Sequence, residues 1–161
     1  MSKLQARNEK IINAPVSKVW AVITDINLLP KVNPGVTSAT GRMDQQGETR
    51  TCEMQNGGRK GTMTERLAEL EHEKKTVWVI ESDSMGMSRM LKEPRFCFYL
   101  EKSGETQTKV VNESHYEPVT LMAKIMNGLF MKRKMGQIQE QILNNIKTIA
   151  EQQAGHGYNS Q

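Results

Sequence analysis

Thr62-Met63-Thr64-Glu65-Arg66-Leu67-Ala68-Glu69-Leu70-Glu71, then His72-Glu73, then Lys74-Lys75-Thr76-Val77-Trp78-Val79-Ile80 is the stretch that decides the fold. Side chains alternate between apolar and polar with a period of two, the spacing of a half-buried strand. His72-Glu73 closes the two strands into a hairpin. That turn sets Leu67 opposite Trp78, Glu65 opposite Ile80 and Met63 opposite Ser82. Met63, Leu67, Trp78 and Ile80 then share one apolar face, and a buried face fixes register.

The same period extends to both sides. Strands are expected near 36–43, 48–55, 58–71, 75–83, 88–102 and 106–117, separated by short turns. Asn56-Gly57 reads as a two-residue type I′ turn, which places Cys52 opposite Gly61 and Arg50 opposite Met63. A three-residue loop at 103–105 places Phe98 opposite Val110 and Phe96 opposite Asn112. Consecutive strands with short connections form an antiparallel meander.

Helices flank the meander. After an extended segment at 3–12, Asn13-Ala14-Pro15 opens a helix, with Asn as its cap and proline in the first turn, where its missing N–H costs nothing. Val16, Val19, Trp20 and Ile23 form its buried face. A second short helix is expected over 25–33, stopped by Pro34-Gly35. From about Thr120 to Gln152 one long helix carries the stripe Met135, Ile138, Ile142, Ile146 and Ile149, opposed by Gln139, Glu140, Asn144 and Lys147. Residues 1–154 read as one domain and 155–161 as a flexible tail.

This order of elements, with Ile12-Asn13-Ala14-Pro15-Val16-Ser17-Lys18-Val19-Trp20, Leu29-Pro30-Lys31-Val32-Asn33-Pro34-Gly35-Val36 and Tyr116-Glu117-Pro118, resembles the START-like, or Bet v 1-like (SRPBCC), superfamily and its polyketide cyclase/dehydrase-like group. The resemblance covers roughly residues 4–151. It implies an α+β helix-grip fold, in which a curved seven-stranded antiparallel sheet wraps a long C-terminal helix and two short helices follow the first strand. It also implies a cavity for a hydrophobic ligand between sheet and helix. Catalysis does not follow from the scaffold, so function has to be argued from the site.

Several classes drop out on composition. The 161 residues carry a net charge of +4, and only Lys132-Arg133-Lys134 forms a basic cluster, too little for a nucleic-acid stripe. The longest apolar runs, 19–23 and 96–100, are five residues long, whereas a spanning helix needs ~20. No integral membrane association is expected. Cys52 and Cys97 are too few for a disulfide framework and lack metal-ligand spacing, so neither a metal nor a cofactor is expected. The start of the chain lacks the apolar segment of a secretory signal, and the expected compartment is the cytoplasm. Monomer and homodimer both fit.

Candidate site residues follow from the faces. Glu65 falls on the inner, apolar face. Three readings stay open for it: an ion pair with Arg50, a lone acid whose proton desolvation retains, or a bulge that turns it outward. Tyr116 suits a hydrogen bond to a ligand or, with Glu65, a catalytic role. The expected ligand-binding residues are Arg50, Met63, Trp78, Ile80, Phe96, Phe98 and Asn112 on the sheet. The Met85-Gly86-Met87 loop adds Met85 and Met87 as a soft gate, and the last helix adds Met122, Met126 and Phe130. Binding or transport of a lipid, isoprenoid or polyketide-like molecule is the leading function. Cyclisation or dehydration by Glu65 and Tyr116 is the alternative.

Overall fold

A computed structural model describes residues 2–156. Strand β1 (Leu4–Ile12) leads into α1 (Val16–Ile23) and the one-turn α2 (Leu29–Val32). Six strands follow: β2 (Val36–Gly41), β3 (Thr49–Asn56), β4 (Arg59–Glu71), β5 (Lys75–Asp83), β6 (Leu91–Lys102) and β7 (Thr108–Pro118). A one-turn helix, α3 (Met87–Met90), sits between β5 and β6. The chain ends in α4 (Leu121–Met126), a π-helical segment (Asn127–Met131) and α5 (Lys132–His156). The seven strands pair antiparallel in the order β1-β7-β6-β5-β4-β3-β2. This is the helix-grip fold. No helix among the described residues is long and apolar enough to cross a membrane.

Three expectations about elements change. The expected single C-terminal helix is interrupted by the π segment, where Asn127 is buried. α5 runs through His156, past the expected start of the tail at 155, and residues 157–161 lie outside the described residues. Asn13 does not cap α1, whose N-cap is Pro15. Its backbone N–H donates to Glu151 at the far end of α5, and its side-chain oxygen accepts from Gln107.

The expected register holds in parity and shifts in partner between β3 and β4 and between β6 and β7. Between β4 and β5, bulges move it by one residue at both ends, so that Met63 meets Asp83 rather than Ser82. The β3–β4 turn falls at Gly57-Gly58, one residue later than expected, with Asn56 opposite Arg59. Moving a turn by one residue moves every pairing by two, which keeps each side chain on its face. Arg50 therefore stands directly across from Glu65, and Cys52 across from Met63. The β6–β7 loop spans 103–107, so Phe98 meets Asn112 and Phe96 meets Ser114. At the β4–β5 turn Glu73 adopts a φ of 57°, and Glu71 pairs with Lys75. A bulge at Ala68 then restores the expected pairs of Leu67 with Trp78 and Glu65 with Ile80.

The core is divided. Ile12, Val19, Trp20, Val22, Ile23 and Val110 pack with Ile142, Leu143, Ile146 and Ala150 of α5. Leu29, Val36 and Cys52 form a second cluster, and Met43, Leu67 and Trp78 a third. The C-terminal half of α5 is thus in contact with the core, while its first turns face open space between the clusters.

Candidate functional site

That space is a cavity of ≈ 390 Å³. Met135, Ile138, Gln139 and Ile142 of α5 form one wall, and Val22, Ile23, Leu29 and Val32 of the short helices a second. The sheet supplies Cys52, Met54, Met63, Trp78, Phe96, Phe98, Asn112 and Ser114. At the mouth, the Lys134 ammonium donates to Asn56 at 2.7 Å and ties α5 to the β3–β4 turn.

Arg50 and Glu65 are the charged centre of the wall. Arg50 Nε donates to Glu65 Oε2 at 2.7 Å, and the two side chains are 11% and 7% exposed. The guanidinium lies 3.8 Å from the centre of the Trp78 ring. A planar cation stacked on an aromatic face while donating to a carboxylate is held in one orientation. Of the three readings open for Glu65, the geometry selects the ion pair. Asn112 is nearly buried, and the described hydrogen bonds give its amide no protein partner, so it offers donors and an acceptor to the cavity. Ser114 accepts from Gln139 Nε2 at 2.9 Å, and Asn8 donates to both Gln139 Oε1 and the Gly136 carbonyl, which seals the wall between α5 and β1.

The structure places Arg50, Met63, Glu65, Trp78, Met85, Met87, Phe96, Phe98 and Asn112 on the cavity wall. It places five expected residues elsewhere. Ile80 is half-buried outside the wall, because the bulge at Glu81 alters the strand beside it. Met122, Met126 and Phe130 are exposed, since α4 and the π segment run outside the cavity rather than over it. Tyr116 keeps its expected inner face but is fully buried behind the π segment. Its hydroxyl donates to Asn127 Oδ1 at 2.7 Å, Asn127 donates to Gln5, and Gln5 donates back to the Tyr116 carbonyl. This closed ring holds the start of the helix to the sheet and leaves the hydroxyl away from the cavity.

The gate is firmer than expected. Asp83 accepts from the backbone N–H groups of Met85, Met87 and Ser88 at 2.7–2.9 Å. Burial alone would raise its pKa, but these hydrogen bonds outweigh burial and hold the carboxyl below its ordinary value. Met85 packs onto Gly61, where a Cβ would fall 2.3 Å from its Cγ. The methionine side chains are flexible, but their backbone is pinned.

The cysteines are poor nucleophiles. Burial pushes the Cys52 thiol from its ordinary 9.0 up to about 11, and burial raises Cys97 as well. Because the folded thiol holds its proton more tightly than the unfolded one, the native state loses stability as pH rises from 9.0 towards about 11. Cys52→Ala is expected to flatten the fall of Tm across that window. An equally steep fall in the variant would remove Cys52 as a source. Among the described residues, no three His, Cys, Asp or Glu side chains converge as metal ligands do.

Sequence reasoning misses the contribution of α1, α2 and Gln139. Polarity assigns Gln139 to the solvent face of α5, yet it is 1% exposed. It sits four residues after Met135 and three before Ile142, so the stripe's own spacing includes it.

The family described as polyketide cyclase/dehydrase and lipid transport matches residues 3–151. The chain belongs to that family. No curated protein sequence matches this member closely enough to count as a relative. Solved structures share its fold at low identity. TTHA0849 from Thermus thermophilus is 17% identical, with 92% of this chain and 98% of that one covered and a TM-score of 0.73. The Zhui aromatase/cyclase from Streptomyces sp. R1128 is 14% identical, with 91% and 92% covered and a TM-score of 0.73. A START superfamily protein from Mycobacterium smegmatis is 11% identical, with 91% and 97% covered and a TM-score of 0.72. This polyketide cyclase/dehydrase and lipid transport family member therefore shares one scaffold with a named cyclase and a START protein, and its own site has to distinguish them.

Proposed function

We propose that this protein binds and carries a small apolar molecule, of lipid, isoprenoid or polyketide-like character, in the cavity between α5 and the sheet. The observation that carries the reading is the cavity's polarity pattern. Its walls are mostly apolar, and its ion pair is neutral overall, with one Nε–Oε2 bond. The pair leaves guanidinium N–H groups at the wall, and these and the Asn112 amide are left to orient a polar end of the ligand. Each methylene taken from water into such a site contributes about 0.8 kcal/mol, and a few polar groups set direction. The alternative of cyclisation or dehydration requires two placed groups. Glu65 is engaged by Arg50, and Tyr116 lies outside the cavity, which supports carriage over proton transfer.

Native mass spectrometry of the purified protein is expected to reveal a co-purified apolar molecule. After delipidation, the fluorescent probe 1-anilinonaphthalene-8-sulfonate should enter the cavity. Ile138→Trp, which fills the α5 wall, should weaken the probe about tenfold or more. Tyr116→Phe should leave it unchanged. No probe uptake, or uptake indifferent to Ile138→Trp, would reject the reading.

A further inference from the structure

Among the described residues, a run of large apolar side chains lies on the outside. Leu121, Met122, Leu129 and Phe130 are 75%, 68%, 63% and 60% exposed, and Val119 and Ile125 are about half exposed. Monomeric soluble proteins scatter large apolar side chains singly, so a contiguous exposed cluster marks an interaction surface. The backbone beneath it is well anchored. Thr120 caps α4 by accepting from Ala123 N–H, Val119 N–H donates to the Met90 carbonyl, and Asn127 is locked into the ring with Tyr116 and Gln5. The cluster is therefore presented by a fixed helix.

Its surroundings are basic. Lys3, Lys92, Lys124 and Lys132 line one shallow depression along its flank, where Glu117 is the single acid. Arg133 and Lys134 follow, and no Asp or Glu occurs between Val119 and Gly136. Leucine, methionine and phenylalanine framed by lysines is the composition of a helix lying in a membrane interface, with its apolar side among acyl chains and its cations at anionic headgroups. A second copy of this chain fits less well, because an isologous contact would bring the two lysine rims together.

We propose that α4 and the π segment form a docking face for an anionic lipid membrane. The inference rests on this outer surface and is independent of what the cavity holds. The face adjoins the first turn of α5, whose Lys134 stands at the cavity mouth. Docking there brings the mouth to the membrane surface.

The test is flotation with vesicles of phosphatidylcholine mixed with phosphatidylglycerol, against vesicles of phosphatidylcholine alone. The protein should float with the mixed vesicles and stay behind with the neutral ones. Leu129→Gln with Phe130→Gln should reduce binding more than tenfold without altering circular dichroism or Tm, since both side chains are exposed. Lys124→Gln with Lys132→Gln should weaken binding about fivefold for each lysine removed, and high salt should do the same to the unaltered chain. Absence of binding to the mixed vesicles, or equal binding to both kinds, overturns the proposal. So does a dimer in sedimentation that Leu129→Gln with Phe130→Gln converts to monomer, which would assign the face to a second copy.

Discussion

Glu65→Gln is expected to lower stability by about 3 kcal/mol or more, because it leaves the Arg50 guanidinium buried without a counter-charge. For a domain of this size that corresponds to a fall in Tm of roughly 6–12 °C. Arg50→Met should cost a similar amount, by stranding the carboxylate. The double variant Arg50→Met with Glu65→Leu is the informative one, since it removes both charges and keeps apolar volume beside Trp78. It should recover most of the loss, as replaced buried pairs often do. With Glu65→Leu as the matching single change, thermal denaturation of the unaltered protein, Arg50→Met, Glu65→Leu and the double variant closes the cycle and gives the coupling energy. If the two single losses simply add in the double variant, the two side chains do not act as a pair. Apolar probe uptake should change less than stability in every one of these variants, because the pair supplies order to the wall rather than contact area.

Gly41→Ala is expected to be comparably severe for a different reason. Gly41 adopts a φ of +116°, where side chains other than hydrogen are strained, and it pairs with Arg50 across the β2–β3 ladder. A Cβ there would fall 2.4 Å from the Thr49 carbonyl oxygen and 2.8 Å from the Arg50 Cα. Both are backbone atoms, which cannot swing aside as a side chain does. Backbone strain and contact together should cost about 3 kcal/mol or more and displace the strand that aims Arg50. Gly47→Ala is the control. Its φ of +91° makes alanine strained as well, but nothing lies within 4 Å of the added carbon. It should cost about 1 kcal/mol. Equal losses at the two positions in thermal denaturation would mean that close approach contributes nothing.

The fold is legible in the sequence because strand faces tolerate errors that partner lists do not. The stretch Asn56-Gly57-Gly58 contains two adjacent turn pairs, and choosing the earlier one shifts Arg50 from directly opposite Glu65 to the diagonal. Both choices put Arg50, Met63 and Glu65 on the inner face, so the wall survives the error. The helix end is less legible. Placing Met122, Met126 and Phe130 inside rests on the premise that apolar residues are buried, a rule that holds only in one direction. Nothing in the alternation of β7 shows that Asn127 reaches back to Tyr116, because that contact depends on the π segment resetting the helical phase. Gln139 is a different kind of miss. Its position is legible from spacing, and its polarity argues it outward, yet Ser114, Asn8 and the Ala6 carbonyl satisfy it inside.

The divided packing of α5 gives the helix two kinds of anchorage. Its last turns carry Leu143, Ile146 and Ala150, all fully buried, whereas Met135 and Ile138 border empty volume. Separating the far end from the sheet means dismantling the main core, so that end opens only with global unfolding. The near end makes fewer apolar contacts and is held by polar ones instead: the Lys134, Asn8 and Gln139 hydrogen bonds, Lys10 on Glu140, and the Asn127 ring in the π segment that leads into it. The helix is therefore a beam supported at both ends, by apolar packing at one and by hydrogen bonds at the other, with the turns between them over the cavity. A bound molecule would supply the apolar contacts that Met135 and Ile138 lack, and so add to that span the kind of support the core gives the far end.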